Sequence, residues 1–534
     1  MKISNTTISN EAAPTYSFNM GGHSHFVRNS KSDVPQSIKY AKEWCKDCGY
    51  QAYGVGSPWT NASGQHYAEC EGEKRSEYFA GLIKPEDIMD KEEIFAVIDE
   101  LNKQDHTVFY IDNETPKNRF GHLWYVGFDY KVPAWHDYSQ DKPVSFSPLD
   151  EIRDPNPLHK DGVQLRRTYA QVIAEQHNAG ALAVWAHPTS WWFHPADTRN
   201  FTTNIAAELM PCLISNGHID GITVIGYDAY HVDYQALWFA LLDRKWRIPA
   251  YAELDGGFAG MPSKEKGLFK NAIPLETKKM LTIDEFKEEY RLGHHYITSG
   301  PTLVMTIDGM PMGSTISSDN KKKFHGKLIA KPAPEQTKLS RVQLATLNNR
   351  VIYEVKDFAG GIIEFDIELP ADLDYTYIVA RCFGEGDDPE TMRQQQIKHC
   401  ALTNPFFFAT SAVEWHKPKQ SKITINVSAT SKYCGCEYVI DDLYGNVTER
   451  KKLEAGSHVV TTSPESLLKL YDDNNVETVI PFSMENKELR AYLEGIASGK
   501  FLEQYPECVA GQVPVAVFRL DDVAGMMEEF SISL

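Results

Sequence analysis

The sequence predicts an α/β domain followed by an antiparallel β-sandwich and a small α+β module. Three observations carry that expectation. Up to about residue 260, strand-like and helix-like segments alternate, the pattern of parallel strands joined by helical crossovers. From Thr302 the texture changes to alternating β runs (LVMTIDG, KFHGKLIAK, RVQLATLNN, IIEFDIEL, YTYIVARCF) separated by turn residues. These lack helical spans and read as a sandwich extending to about Thr410. Beyond it, a β segment from Lys422 to Thr448 precedes helices over Pro464 to Asp473 and Asn486 to Gly499 and a strand over Val513 to Leu520.

Taken in order, the first strand runs from Tyr16 to Met20, a helix from Pro35 to Trp44 and a short strand from Gln51 to Gly56. In KEEIFAVIDELNKQ, residues 91–104, Ile94, Ile98 and Leu101 recur at helical spacing. Strands follow over His106 to Ile111 and Phe120 to Phe128. A helix from Val163 to Asn178 leads into the buried strand Ala181 to Ala186, and a helix from Phe201 to Ser215 into the strand Gly221 to Ile225. A helix from Tyr234 to Asp243 and a strand from Ile248 to Ala252 complete the pattern. Residues 129–162 are rich in proline, aspartate and aromatics, including Trp135 and Tyr138. A loop this long inside a domain reads as a lid or binding loop.

A chain of 534 residues is too long for one ordinary core. The divisions expected are 1–300, 301–411 and 412–534. A composition of 42% hydrophobic and 24% charged residues is that of a globular protein. The net charge of −19 argues against nucleic acid or an anionic membrane as the main partner. No apolar run approaches the ~18 residues needed to cross a bilayer, and residues 1–18 carry no apolar leader segment. A cytoplasmic location is the resulting expectation. Nine cysteines show no disulfide framework. The Cys45-x-x-Cys48 pair has no second pair at zinc-ribbon distance and falls in a helical pattern, which points to packing; Cys434-Gly-Cys436 reads the same way.

The chemistry is expected around Gly21-Gly22-His23-Ser24-His25. Two histidines at i and i+2 on an extended backbone face the same side, so both imidazoles can reach one ion. Further candidates stand at or near other strand ends: Glu114 after HTVFYIDN, His122 opening the next run, His187-Pro188 closing ALAVWA, and Asp255 closing AYAEL. Four imidazoles and two carboxylates, without a thiolate, suit two divalent ions such as Zn, Mn or Fe. A carboxylate can bridge two ions ~3.5–4 Å apart. Singly, each has a plain alternative, His187 as a turn residue and Asp255-Gly256-Gly257 as a loop.

These motifs, in this order, resemble those of PHP-domain metallohydrolases. The stretch from Gly293 to Gly309 (GHHYITSGPTLVMTIDG) and Ala401-Leu-Thr-Asn-Pro405 resemble segments of the CehA/McbA branch of that family. The resemblance spans roughly Phe18 to Thr410 and implies a distorted (β/α)7 barrel ahead of the sandwich. It also implies one metal position from His23, His25, Glu114 and Asp255, and another from Glu114, His122 and His187. Two departures matter. Val55-Gly56-Ser57-Pro58-Trp59 stands where the family has Asp-His, and Gly257 where it has a histidine. Both histidines belong to a third metal position, which the resemblance therefore implies is lost. The aspartate that usually follows His-x-His has Asp33 as its nearest candidate.

The expected activity is hydrolysis of an ester, carbamate, amide or related small-molecule bond by a metal-bound hydroxide. Arg119 could neutralise an anionic substrate or a developing oxyanion, or form a plain ion pair. Asp228 and His231 follow the strand GITVI and are candidate proton donors, or loop supports. Glu253, two before Asp255, faces the same side of an extended strand and is a candidate acid–base or supporting group. Trp59, Trp124, Trp135, Trp191 and Trp192 read either as core packing or as an aromatic wall for an aryl or sugar-containing substrate. Alternatives are a phosphoesterase and an inactive scaffold that binds a ligand. A homo-oligomer is compatible with all three.

Overall fold

The computed structural model describes residues 1–9, 17–25, 34–56, 91–114, 122–127, 177, 180–186, 219–226, 234–253, 269–275, 279–386, 399–415, 421–431, 434–435, 437–442, 447–462, 466–471, 477–480 and 529–533. Among them strand far outweighs helix. Residues 129–162, and the expected helices 201–215 and 486–499 and strand 513–520, lie outside the described residues.

The first half supplies strands β1 (Lys2–Ser9), β2 (Ser17–His25), β3 (Ala52–Gly56), β4 (Val108–Glu114), β5 (His122–Val126), β6 (Leu182–Ala186), β7 (Gly221–Gly226) and β8 (Ala250–Glu253). Helices Val34–Cys48, Lys91–Leu101 and Tyr234–Asp243 lie between them. Then come β9 (Lys270–Leu275), the helix Ile283–Leu292, β10 (Tyr296–Thr298), β11 (Thr302–Ile307), β12 (Thr315–Ser317), β13 (Lys323–Lys331), β14 (Leu339–Thr346), β15 (Arg350–Phe358), β16 (Gly361–Glu368), β17 (Tyr375–Gly384), β18 (Cys400–Thr403) and β19 (Phe406–Ala409).

Among the described residues no backbone ladder closes the strands into a (β/α)7 barrel, which corrects the expectation from the family resemblance. They run instead in one 15-stranded sheet, ordered β12-β19-β17-β18-β10-β9-β2-β3-β4-β5-β6-β7-β8, with β14 and β15 off this path. Only the β2–β3, β3–β4, β6–β7 and β7–β8 pairs in the first half are parallel; β5 runs antiparallel to both β4 and β6, and β9 antiparallel to β2. An apolar run fixes which face is buried but carries no information on partner direction. That is why strand signals alone suggested a uniform parallel set.

The path then continues through β9, β10 and β18 into strands that pack on a second sheet, β1-β16-β13-β11. The space between is filled by Leu303, Leu328, Ile363, Phe365, Leu344, Ile378, Phe406 and Phe408, all fully buried. β1 belongs to this later sheet, with Lys2 opposite Glu368 and Ser9 opposite Ile362. The connecting helix Ile283–Leu292 starts at a capping box. Its Thr282 hydroxyl accepts from Glu285 N–H while the Glu285 carboxylate accepts from Thr282 N–H, and it ends at Gly293 in the left-handed region.

The last part holds β20 (Ser421–Val427), β21 (Glu437–Asp442), β22 (Val447–Lys452), β23 (Gly456–Thr462), β24 (Ser466–Tyr471), β25 (Glu477–Ile480) and β26 (Glu529–Ser533) in sheets β23-β20-β26 and β22-β21-β24-β25. The helix expected over 464–473 is instead strand β24, paired antiparallel with β21 and β25. Its SLLKLY run satisfies a period of two as well as a helical one, and the partners decide.

Candidate functional site

The backbone register gathers the expected donors at one edge of the first-half strands. His23 and His25 are not beyond the first strand but form its last turn of alternation, opposite Gly54 and Gly56 of β3. Gly56 is level with Asp112 of β4, two residues before Glu114. Glu114 lies opposite Trp124, and His122 opposite Ala186, the residue before His187. His122 opens its strand where the others close theirs. Because β5 is antiparallel, its start reaches the edge where β2, β4 and β6 finish. On β8, Glu253 closes the strand opposite Gly226, two residues before Asp228. The residues Arg119, His187, Asp228, His231 and Asp255 lie outside the described residues.

Below this edge the interior is apolar. Trp124, Val184, Ala186, Tyr251, Ile273, Phe286 and Tyr290 form one buried cluster, with the helix Ile283–Leu292 contributing the last two. Tyr251 meets Trp124 and Tyr290 edge-on, with ring centroids 6.0 and 5.5 Å apart. Trp124, weighed from the sequence as packing or as a ligand wall, is packing. Of the other tryptophans named, Trp59, Trp135, Trp191 and Trp192 lie outside the described residues.

Glu253 stands where this apolar interior ends. It is 1% exposed and accepts from the Thr223 hydroxyl at 2.5 Å. Thr223 in turn lies 3.4 Å from the indole nitrogen of Trp124. A bulge in β7 makes this arrangement. Thr223 pairs with Tyr251, the register slips, and Ile225 and Gly226 then pair with Ala252 and Glu253. Without the extra residue Ile225 would flank the carboxyl; with it, isoleucine turns to the opposite face and glycine stands beside Glu253. That position has no room for more, since a Cβ on Gly226 would sit 1.9 Å from the Glu253 carbonyl oxygen. Thr223 was not singled out from the sequence. Its signal is a lone hydroxyl inside the apolar run GITVI.

The free edge of β8 is completed by side chains rather than by a strand. Asn271 of β9 accepts from Ala252 N–H at 2.8 Å and donates to Ala252 C=O at 2.9 Å. Asn404 accepts from Ala250 N–H at 2.7 Å and donates to His295 C=O at 3.0 Å. The His295 Nε2–H points to Ala250 C=O at 2.8 Å. Two amides and an imidazole thus supply the hydrogen bonds that a neighbouring backbone would give. His295 is fully buried, and burial above all pulls its pKa down to about 4.

Among the described residues no group of three or more His, Cys, Asp or Glu side chains stands together in a way that could hold a metal ion. Together with the sheet-dominated architecture, this corrects the identification as a PHP-domain metallohydrolase. Cys45 is buried and Cys48 half-buried at the end of helix Val34–Cys48, and neither forms a disulfide among the described residues. No helix among the described residues is long and apolar enough to cross a membrane.

No protein-family model matches the chain, and no curated protein does. Solved structures give weak superpositions. BcpA, the major pilin subunit of Bacillus cereus, is 8% identical over 44% of this chain and 71% of its own, with a TM-score of 0.13. A biofilm-associated protein BSP domain is 9% identical over 33% of this chain and 27% of its own, also at 0.13. An engineered protein is 9% identical over 73% of this chain and 93% of its own, at 0.16. Superpositions this poor establish neither a shared fold nor a shared function.

Proposed function

We propose that the chain is a hydrolase that uses divalent metal ions to cleave an ester, carbamate or amide bond of a small molecule. The observation that supports this reading is the register just described, which brings the backbones of His23, His25, Glu114 and His122 to one edge, beside the residue preceding His187. It does not depend on a closed barrel. The donor set suits two borderline ions, since it offers imidazoles at i and i+2 of one strand and carboxylates from β4 and from beyond β8. Bound there, such ions would lower the pKa of water and polarise the scissile carbonyl.

The chain's own residues would do the rest. His23, His25, Glu114, His122, His187 and Asp255 would hold the ions, Glu114 contributing to both. Glu253 serves as an acid–base group or as the hydrogen-bonded support of Asp255. Asp228 or His231 donates a proton to the leaving group, and Arg119 meets negative charge on the substrate. The apolar interior beneath Glu253 keeps water from the strand ends on one side.

Metal content per chain, measured by plasma mass spectrometry after purification without chelators, is expected near about two ions, falling by half or more in Glu114→Ala. A screen of aryl esters, carbamates and phosphoesters then assigns the bond. Turnover of phosphoesters alone would mean a phosphoesterase, and two ions without turnover a ligand-binding scaffold. Protein that takes up neither Zn nor Mn on soaking would end the proposal.

A further inference from the structure

We infer that Thr223 is the positioning residue of Glu253, fixing one oxygen of its carboxyl just below the strand edge where the donors' backbones gather. The inference builds on the reading that Glu253 serves that site. Three observations carry it, each independent of any bound ion.

Hydrogen-bond direction comes first. An indole N–H can only donate, so Trp124, 3.4 Å from Thr223 Oγ1, occupies an acceptor position of that hydroxyl. The hydroxyl proton is then directed to Glu253 Oε2, 2.5 Å away. The relay has one sense, from indole to hydroxyl to carboxylate, and fixes one carboxylate oxygen.

Its rigidity comes next. All three residues are buried, Trp124 is locked edge-on against Tyr251, and Thr223 is β-branched with few rotamers open to it. The relay links β5, β7 and β8. It therefore ties the strand that opens with His122 to the strand that closes before Asp255.

Local packing is the third. The β7 bulge removes Ile225 from the side of Glu253 and places Gly226 there, so Thr223 is the β7 side chain that meets the carboxyl. A strand without the bulge would bury the carboxyl against isoleucine. The sequence invests a register slip and a glycine with no room for a side chain in keeping this contact polar.

The test compares Thr223→Val, which keeps shape and removes the hydroxyl, with Thr223→Ser, which keeps the hydroxyl. The primary readout is the indole 15N–1H resonance of Trp124, assigned as the one absent from Trp124→Phe. It is expected to shift in Thr223→Val and Glu253→Gln and to return close to its wild-type position in Thr223→Ser. A resonance unmoved in Thr223→Val, or moved equally in the serine variant, overturns the inference. The second readout is turnover of p-nitrophenyl acetate and a p-nitrophenyl carbamate. Thr223→Val is expected to lower kcat roughly 10-fold at unchanged KM, with recovery in the serine variant. Loss of turnover in Glu253→Gln but none in Thr223→Val sinks the inference and leaves the functional reading standing. Full turnover in Glu253→Gln, or none in the wild type, removes that reading, and the resonance still decides whether Thr223 holds the carboxyl.

Discussion

Asn271→Leu is expected to destabilise the protein by about 4 kcal/mol, because it strips two partners at once from a buried strand edge. The Asn271 amide meets both the N–H and the C=O of Ala252, at 2.8 and 2.9 Å. Leucine has the same branching and the same number of side-chain heavy atoms, so no cavity opens. What remains is the desolvation cost of two backbone groups left without partners, roughly 1–3 kcal/mol each. Asn271→Asp separates this account from simple packing. It keeps an acceptor for Ala252 N–H but sets a carboxylate oxygen against Ala252 C=O, and should cost at least as much near neutral pH. Urea denaturation of both variants checks the point. A change under 1 kcal/mol in Asn271→Leu would mean that the Asn271 amide contributes little to holding β8.

The second large effect is a pH dependence. His295 has its pKa lowered to about 4, chiefly by burial, from the ordinary 6.5. The unfolded chain therefore binds a proton below about pH 6.5 that the folded chain refuses until about pH 4. Stability falls as pH drops through that window and levels off beneath it. The size follows from 1.36 kcal/mol per pKa unit: between pH 7 and 4.5 this group costs about 2 kcal/mol. In His295→Gln that part of the slope should vanish, although the variant is less stable at pH 7 through altered packing against Tyr251 and Tyr290. Denaturant midpoints at pH 7 and 4.5, wild type against variant, give the difference. Equal slopes would show that the buried imidazole is not the group responsible.

Much of the element list was legible, and the reasons differ from element to element. Ala181 to Ala186 announces a strand buried on both faces, and each of its residues is buried. Tyr234–Asp243 ends where its apolar spacing ends. The arrangement was less legible. Nothing in HLWYV says that it runs against its neighbours, and that reversal is what separates the observed mixed sheet from the barrel the motifs implied. β9 and β10 carry too little alternation to be noticed, although β9 supplies Asn271. Asn404 stood inside a quoted motif, yet its role depends on β8, some 150 positions earlier in the chain. At the site, Glu253 was found because its spacing from Asp255 is local. Thr223 was missed because its meaning comes from a bulge that no periodicity reveals.

The pairing of β1 with β16 has a consequence for how the protein is made. Ser9 and Ile362 are neighbours in the sheet, but the ribosome adds the second long after the first. At roughly 5–20 residues per second, the interval is about 20–70 s. For that time the leading strand has no partner from its own sheet, while β2 to β8 are synthesised and can pair with one another. The opening segment must stay soluble alone, and its residues suit the wait. KISNTTIS is short, mostly hydroxyl and amide, and keeps most of its side chains toward water even when docked. The cost of pairing strands so far apart in the chain is borne by one too polar to aggregate while it waits.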